Sequence, residues 1–242
     1  MSKPFAVFDI DGTLIRWQLF HAVADALAKR GHIDSTTYQT VREARMLWKR
    51  REHEESFKDY EKRLVNAYES LLGQLTVSQF QEAAEAVFEE YKDQTYTYTR
   101  RLIKDLKAQG YLLFAISGSQ QEIIEKLAGY YGFDDCVGSI YEHEGEHFTG
   151  IKQLALGKKD EVLHGLVEKH GASWEDSISV GDSAGDIAML ELVEQPIAFN
   201  PEKALFTHAK AEGWQIVLER KNMIYTLEPQ DGSYVLAQTD GR

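Results

Sequence analysis

Asp9 and Asp11 stand two positions apart at the end of a short apolar run, Ala6-Val7-Phe8, and Gly12-Thr13-Leu14 follow them. The run has the composition of a strand buried on both faces. A carboxylate taken out of water is costly unless it is paired or bound to a metal, and two this close also repel each other. A cation beside them answers both problems. Gly12 permits a tight turn or a close ligand approach. An Asp-Gly pair by itself reads as an acidic turn, so the weight of these two residues depends on what the rest of the chain brings to them.

Two other apolar runs end in the same manner. Tyr111 to Ile116 runs into Ser117-Gly118-Ser119, and Ile178-Ser179-Val180 into Gly181-Asp182-Ser183-Ala184-Gly185-Asp186. Asp9, Asp11, Asp182 and Asp186 form a carboxylate set with no His or Cys at ligand spacing. Hard oxygen ligands of this kind suit Mg²⁺, which keeps waters free for an anionic substrate. Ser117, Gly118 and Lys159 add a hydroxyl, an approachable backbone N–H and a cation, and together these suit a phosphate. One aspartate can attack phosphorus while its neighbour shuttles the leaving group's proton.

The elements that must position these residues follow from periodicity. There is no proline between Pro4 and Pro196, and residues 16–94 read as almost wholly helical. Trp17, Phe20, Ala24, Leu27 and Ala28 share a helical face, with Gly31 as a C-cap. Val41 to Arg51 reads as a basic helix. Phe57, Tyr60, Leu64, Ala67, Tyr68 and Leu71 form the next stripe, and Thr76 caps a further helix through Val87 and Tyr91. From Thr99 onward helix and strand alternate, with a hairpin around Glu142–His147, a helix over Lys159–His170 and strands at 196–199 and 214–218. The chain after Lys221 has no clear pattern. This alternation gives an α/β fold, an open and mostly parallel sheet with helices on both faces. Ligands collect at the carboxyl ends of such strands, and the three acidic or hydroxyl-bearing ends are all carboxyl ends.

Composition bounds the rest. A 242-residue chain supports one large domain or a core with a smaller companion, and its 43% hydrophobic and 27% charged content is that of an ordinary globular protein. The net charge of −12 argues against a nucleic-acid surface or an anionic membrane as partner. One cysteine, Cys136, excludes an intrachain disulfide and a Cys-rich zinc site. No apolar stretch approaches membrane-spanning length, and Met1-Ser2-Lys3-Pro4 leads into the strand without a signal segment, so the expectation is a cytoplasmic protein.

The motifs resemble those of the haloacid dehalogenase superfamily. Phe8-Asp9-Ile10-Asp11-Gly12-Thr13-Leu14 is similar to its first motif and Ala115-Ile116-Ser117-Gly118 to its second. Lys159 matches the third, and Gly181-Asp182-Ser183-Ala184-Gly185-Asp186 the fourth. The resemblance is closest to the phosphoserine phosphatase-like branch, subfamily IB. It implies a Rossmann-like three-layer αβα core over residues 1–15 and 95–242, with an inserted helical C1-type cap over 16–94. It further implies that Asp9 is the nucleophile and that Asp11 is the acid and base. Mg²⁺ would be held by Asp9, the Asp11 carbonyl and Asp182, with Asp186 in support. Ser117 and the Gly118 amide would hold phosphoryl oxygens, and Lys159 would neutralise Asp9 and phosphate.

The expected activity is hydrolysis of a small phosphorylated metabolite. The branch carries a glutamate where this chain has Gln18, and favours other residues at Gly12 and Gly185. A neutral Gln18 weakens recognition of a substrate amine, so phosphoserine is not expected to be the main substrate. A phosphotransferase passing the group to an alcohol, or a non-catalytic phospholigand-binding protein, are the alternatives. Arg42, Arg45, Arg50 and Arg51 read either as a solvated helix face or as readers of a second anionic group. Oligomeric state is not legible.

Overall fold

The computed structural model describes residues 2–53, 55–231 and 233–241. The chain opens with strand β1 (Pro4–Phe8) and four helices, α1 (Leu19–Lys29), α2 (Ser35–Arg50), α3 (Ser56–Leu72) and α4 (Val77–Tyr91). It continues through α5 (Thr97–Ala108), β2 (Leu112–Gln120), α6 (Gln121–Tyr131), β3 (Asp135–Glu144), β4 (His147–Gln153) and α7 (Lys159–His170). Then come β5 (Ser173–Gly181), a 3₁₀ turn (Ala184–Asp186), α8 (Ile187–Leu190), β6 (Gln195–Phe199) and α9 (Lys203–Glu212). Strands β7 (Gln215–Arg220), β8 (Met223–Gln230) and β9 (Ser233–Gly241) close it.

Two compact units result. One contains Met1–Gln18, Tyr91–Ser139 and Leu154–Arg242, and the other Leu19–Glu90 and Ile140–Gln153. The helical segment therefore gathers the hairpin residues 140–153 to itself, whereas the sequence placed them with the sheet. Apolar and ionic contacts explain this: Tyr141 packs edge-on to Tyr68 at 5.5 Å, Phe148 edge-on to Phe80 at 5.8 Å, and Lys152 pairs with Glu69.

The first unit holds an α/β sheet in the order β3-β2-β1-β5-β6-β7-β8-β9. Strand β1 runs parallel to both neighbours, with Phe8 opposite Ala115 on β2 and Val180 on β5. Its side chains alternate between faces. Phe5 and Val7 join Phe114, Ile116, Leu163, Leu166 and Met189 in one core cluster, while Phe8 meets Phe133 edge-on at 5.9 Å. Burial of each such side chain contributes about 1.5–3 kcal/mol, which holds the central strand rigidly under whatever follows it. A second cluster of Leu190, Ala198, Leu205, Ala209, Trp214 and Ile216 anchors β6, β7 and α9.

The tail beyond Lys221, patternless in sequence, is an antiparallel hairpin of β8 and β9 on β7. Most of β9 is exposed, so no apolar alternation was required of it. Tyr234 secures it, its hydroxyl donating to the Ala209 and Trp214 carbonyls at 2.9 and 2.5 Å. Strand β3 also begins earlier than the hairpin pattern suggested, and its first residues, Asp135 to Val137, pair in parallel with β2.

The second unit packs Ala24, Val41, Ala44, Tyr60, Leu64 and Ala67 into a core with Phe20, Trp48 and Phe57 at its margin. Helix α2 starts at an Asp34 cap, whose carboxylate accepts from the Thr36 and Thr37 amides at 3.0 and 2.9 Å. Thr76 caps α4 in a reciprocal pair with Gln79. Of the four arginines read as a basic face, Arg45 turns inward, donating to Asp25 at 2.8 Å beside Tyr38, which donates to the same carboxylate at 2.5 Å. Arg51 ends α2 in a left-handed conformation, φ 55°. No described helix is long and apolar enough to cross a membrane.

Candidate active site

The parallel register sets the three strand ends side by side. Asp9 leaves β1 with its amide donating to the Val180 carbonyl at 2.9 Å, so the chain is still held to β5 at that point. A tight turn follows, in which the Leu14 and Ile15 amides both return to the Ile10 carbonyl, at 3.0 and 2.9 Å. Gly12 sits in this turn at φ +88°, and a Cβ there would lie 2.2 Å from an Asp182 carboxylate oxygen. Glycine thus serves both the left-handed backbone and the approach of Asp182. Thr13 donates to Asp182 at 3.4 Å, and Thr99 at the start of α5 donates to the Thr13 carbonyl at 2.9 Å.

Lys159 lies in the first turn of α7 and is 4% exposed. Its ammonium donates to Asp9 Oδ1 and to Asp186 Oδ1, both at 2.6 Å. Burial opposes this charge, but Asp186 and Asp9 together outweigh the burial and hold the lysine protonated well above its usual range. Lys158 is the residue preceding the helix.

Asp186 spends its second oxygen on the loop it closes. Oδ2 accepts from the Asp182 amide at 3.1 Å, the Ser183 amide at 2.9 Å and the Ser183 hydroxyl at 2.9 Å. A carboxylate has about four lone-pair sites, and protein donors use four here. Oxygens of Asp9, Asp182 and Asp186 all lie within 4.8 Å of one another, a spacing that can hold a metal ion. Three of those donors meet Oδ2, which braces the loop, while Oδ1 meets Lys159, and Asp186 stays within the metal-holding group with Asp9 and Asp182. Gly181 is equally constrained, since a Cβ there would come within 2.5 Å of the Asp186 Cβ. The Ser183-x-x-Asp186 pattern is a capping box whose spacing is visible in the sequence. Glu202 completes the loop, accepting from the Ala184 amide at 2.8 Å.

Asp11 points elsewhere. Ser117, fully buried in the second half of β2, donates to Asp11 Oδ2 at 2.5 Å and accepts from the Ser119 amide at 2.9 Å. Gly118 is half-buried and its carbonyl accepts from Ser139 at 2.8 Å. Gln18, half-buried, is the last residue before α1.

Electrostatics make this a cation-hungry place. Four carboxylates, Asp9, Asp11, Asp182 and Asp186, are gathered here, and the Lys159 ammonium pairs with Asp9 and Asp186 among them. Burial drives the Asp9 carboxyl up to about 7, with Asp186 and Asp11 adding to the effect and Lys159 opposing it. Burial, then Asp9 and Asp186, likewise push Asp182 well above the usual carboxylate range. A divalent cation between Asp9 and Asp182 would return both to the ionised state. The all-oxygen donor set and its charge fit Mg²⁺.

Comparisons with known proteins bear on this arrangement. The family model of the haloacid dehalogenase-like hydrolases matches residues 6–191. A histidinol-phosphatase of Neisseria meningitidis is 24% identical over 229 residues, covering 89% of this chain and 98% of its own. A phosphoserine phosphatase of Archaeoglobus fulgidus is 29% identical over 208 residues, covering 84% of this chain but 54% of its own. Among solved structures, a Bordetella pertussis protein of unknown function superposes with a TM-score of 0.70 at 21% identity, over 89% of this chain and 98% of its own. A phosphoserine phosphatase solved as a phospho-aspartyl intermediate analogue gives 0.61 at 22%, over 91% and 95%. These two likenesses show a shared fold.

Proposed function

We propose that this chain, which belongs to the haloacid dehalogenase-like hydrolase family, is a Mg²⁺-dependent phosphatase of small phosphomonoesters that works through Asp9. The observation that carries the reading is the meeting of Asp9, Asp182 and Asp186 oxygens within 4.8 Å, with the Lys159 ammonium bound to two of those residues. Two curated relatives named as phosphatases support it.

Lys159 occupies Asp9 Oδ1, so Oδ2 is the oxygen left to attack phosphorus. A bond forms from Asp9 to phosphorus as the bond from phosphorus to the ester oxygen breaks. Asp11, steadied by Ser117, gives the leaving alkoxide its proton and then takes one from the water that hydrolyses the phospho-aspartate. Mg²⁺, held by Asp9 and Asp182 with the Asp11 carbonyl, would neutralise phosphoryl charge and orient the ester for in-line attack. The Gly118 amide holds phosphoryl oxygens, joined by the Ser117 hydroxyl once it turns from Asp11 to the bound ester, with Lys159 as the neutralising cation. We assign substrate selection to Gln18.

Gln18 offers a neutral contact, so the substrate is a small phosphomonoester other than phosphoserine. The name of the Neisseria relative supports including histidinol phosphate in the panel, although the amine of that ester would meet the same neutral Gln18 as that of phosphoserine. The test is phosphate release from histidinol phosphate, phosphoserine, sugar phosphates and nucleotides, with Mg²⁺ or EDTA. Asp9→Asn should lose turnover by about 10⁴-fold or more while melting at the wild-type temperature. Turnover that survives in Asp9→Asn refutes the mechanism, and phosphoserine as the best ester refutes the substrate assignment. Tight binding of esters without turnover would instead mark a phospholigand-binding protein.

A further inference from the structure

Helix α5 concentrates positive charge in a chain of net charge −12. Arg100, Arg101, Lys104 and Lys107 lie within about two of its turns, and Arg100, Lys104 and Lys107 fall on one stripe at i, i+4 and i+7. These four cations line a cavity of about 630 Å³, walled by Tyr130 and Tyr131 from the end of α6, with Ile103 and Ala108 also lining it. Ile103 is buried, and none of the lining residues belongs to the group around Asp9.

The cations are only partly answered by the protein. Arg101 pairs with Asp240 at 2.5 Å, but both side chains are about half exposed, so the pair is weak. Lys107 donates to a neutral acceptor, the Gly132 carbonyl, at 2.6 Å. Arg100 and Lys104 make no ion pair among the described residues, although like charges one helical turn apart repel. The aromatic wall is held in place. Tyr130 donates to Asp93 at 2.9 Å, meets Tyr131 edge-on at 5.1 Å and has the Lys92 ammonium 5.7 Å from its ring centroid. Tyr130 as a whole is still 50% exposed.

We propose that this groove binds a nucleotide, its phosphates on Arg100 and Lys104 and its base against Tyr130 and Tyr131. A guanidinium takes a phosphate bidentately, and an ammonium adds a point charge beside it. Aromatic faces stack on any base. The volume is that of a small-molecule site, about 300–1,000 Å³. It is larger than an inorganic phosphate would fill, and a concave groove of this size favours a compact anion with a planar body over an extended acidic peptide.

The experiment is calorimetric titration of the full chain, as Asp9→Asn and in EDTA, with ATP, pyrophosphate and adenosine. ATP should bind more tightly than either fragment. Arg100→Ala with Lys104→Ala should weaken ATP about a hundredfold, and Tyr130→Ala about tenfold. These side chains lie on the surface, and Lys104→Glu gives a second variant that should abolish binding. Turnover of the best phosphomonoester by wild type carrying only the Arg100→Ala and Lys104→Ala changes should be unaltered. Absence of ATP binding at about 1 mM, unchanged affinity in the double variant, or pyrophosphate binding as tightly as ATP would each overturn the assignment.

Discussion

His21 gives the stability of this protein a pH dependence that can be worked out from its surroundings. It lies on α1, 1% exposed, with its ring edge-on to Tyr60 at 4.9 Å and tilted against Phe57 at 6.1 Å. Burial and the Arg45 guanidinium lower its pKa to about 4, with Asp25 opposing them. In the unfolded chain the imidazole titrates at about 6.5. Between these values the unfolded state binds the proton and the folded state does not, so stability falls as pH falls through that window. With the two pKa values above, the loss is about 1.4 kcal/mol at about pH 5.5 and about 2.6 kcal/mol at about pH 4.5. Urea unfolding of wild type and His21→Phe in EDTA, followed by helical circular dichroism from about pH 7.5 to 4.5, isolates this component, because other titrating groups are common to both proteins. The variant should lose less stability than wild type by those amounts. Parallel curves would refute the reasoning, since they would mean that the buried imidazole accepts its proton as readily as a solvated one.

Three further substitutions probe the sheet unit. Lys159→Met leaves Asp9 and Asp186 buried without their ammonium. It should cost about 3–5 kcal/mol in metal-free urea unfolding at neutral pH, and a loss under about 1 kcal/mol would contradict the pairing. Gly181→Ala drives a Cβ to 2.5 Å from the Asp186 Cβ, a backbone-tethered atom that cannot swing aside. Displacing that brace should lower turnover about a hundredfold, whereas an unchanged rate would show the loop free to adjust. Glu219 has a fully buried side chain that accepts from the Thr97 and Tyr98 amides at 3.1 and 2.8 Å and from Arg16 at 2.7 Å. Glu219→Gln should lower stability by about 1.5–3 kcal/mol, read by thermal unfolding, and a melting temperature at the wild-type value would refute this role.

Much of the fold was legible because its signals are local. Lys159–His170 shows its helix from its own apolar spacing, and β1 and β5 announce themselves as apolar runs that end in acid. What escaped lacked such a signal. The β8–β9 hairpin is mostly solvent-exposed, so its sequence need not alternate. Arg45 has the same composition on paper as Arg42 and Arg50, and only the neighbouring helix carrying Asp25 turns it inward. The hairpin 140–153 groups with the helices because Tyr68, Phe80 and Glu69 face it.

At the site, the residue types and the strand ends that carry them are determined by the sequence alone, because a carboxylate after a buried strand is a local statement. Tertiary structure decided the pairing. Lys159 reaches Asp9 across 150 positions and Asp186 across 27, while Ser117 reaches Asp11 across 106. Residue types alone leave the four aspartates equivalent, and it was the family resemblance that set Asp186 apart as a support. In the fold Asp186 accepts from Lys159 and from its own loop, Asp11 accepts from Ser117, and Asp9 accepts from Lys159. That division depends on which donors lie within about 3 Å of each oxygen, a distance that chain order does not contain.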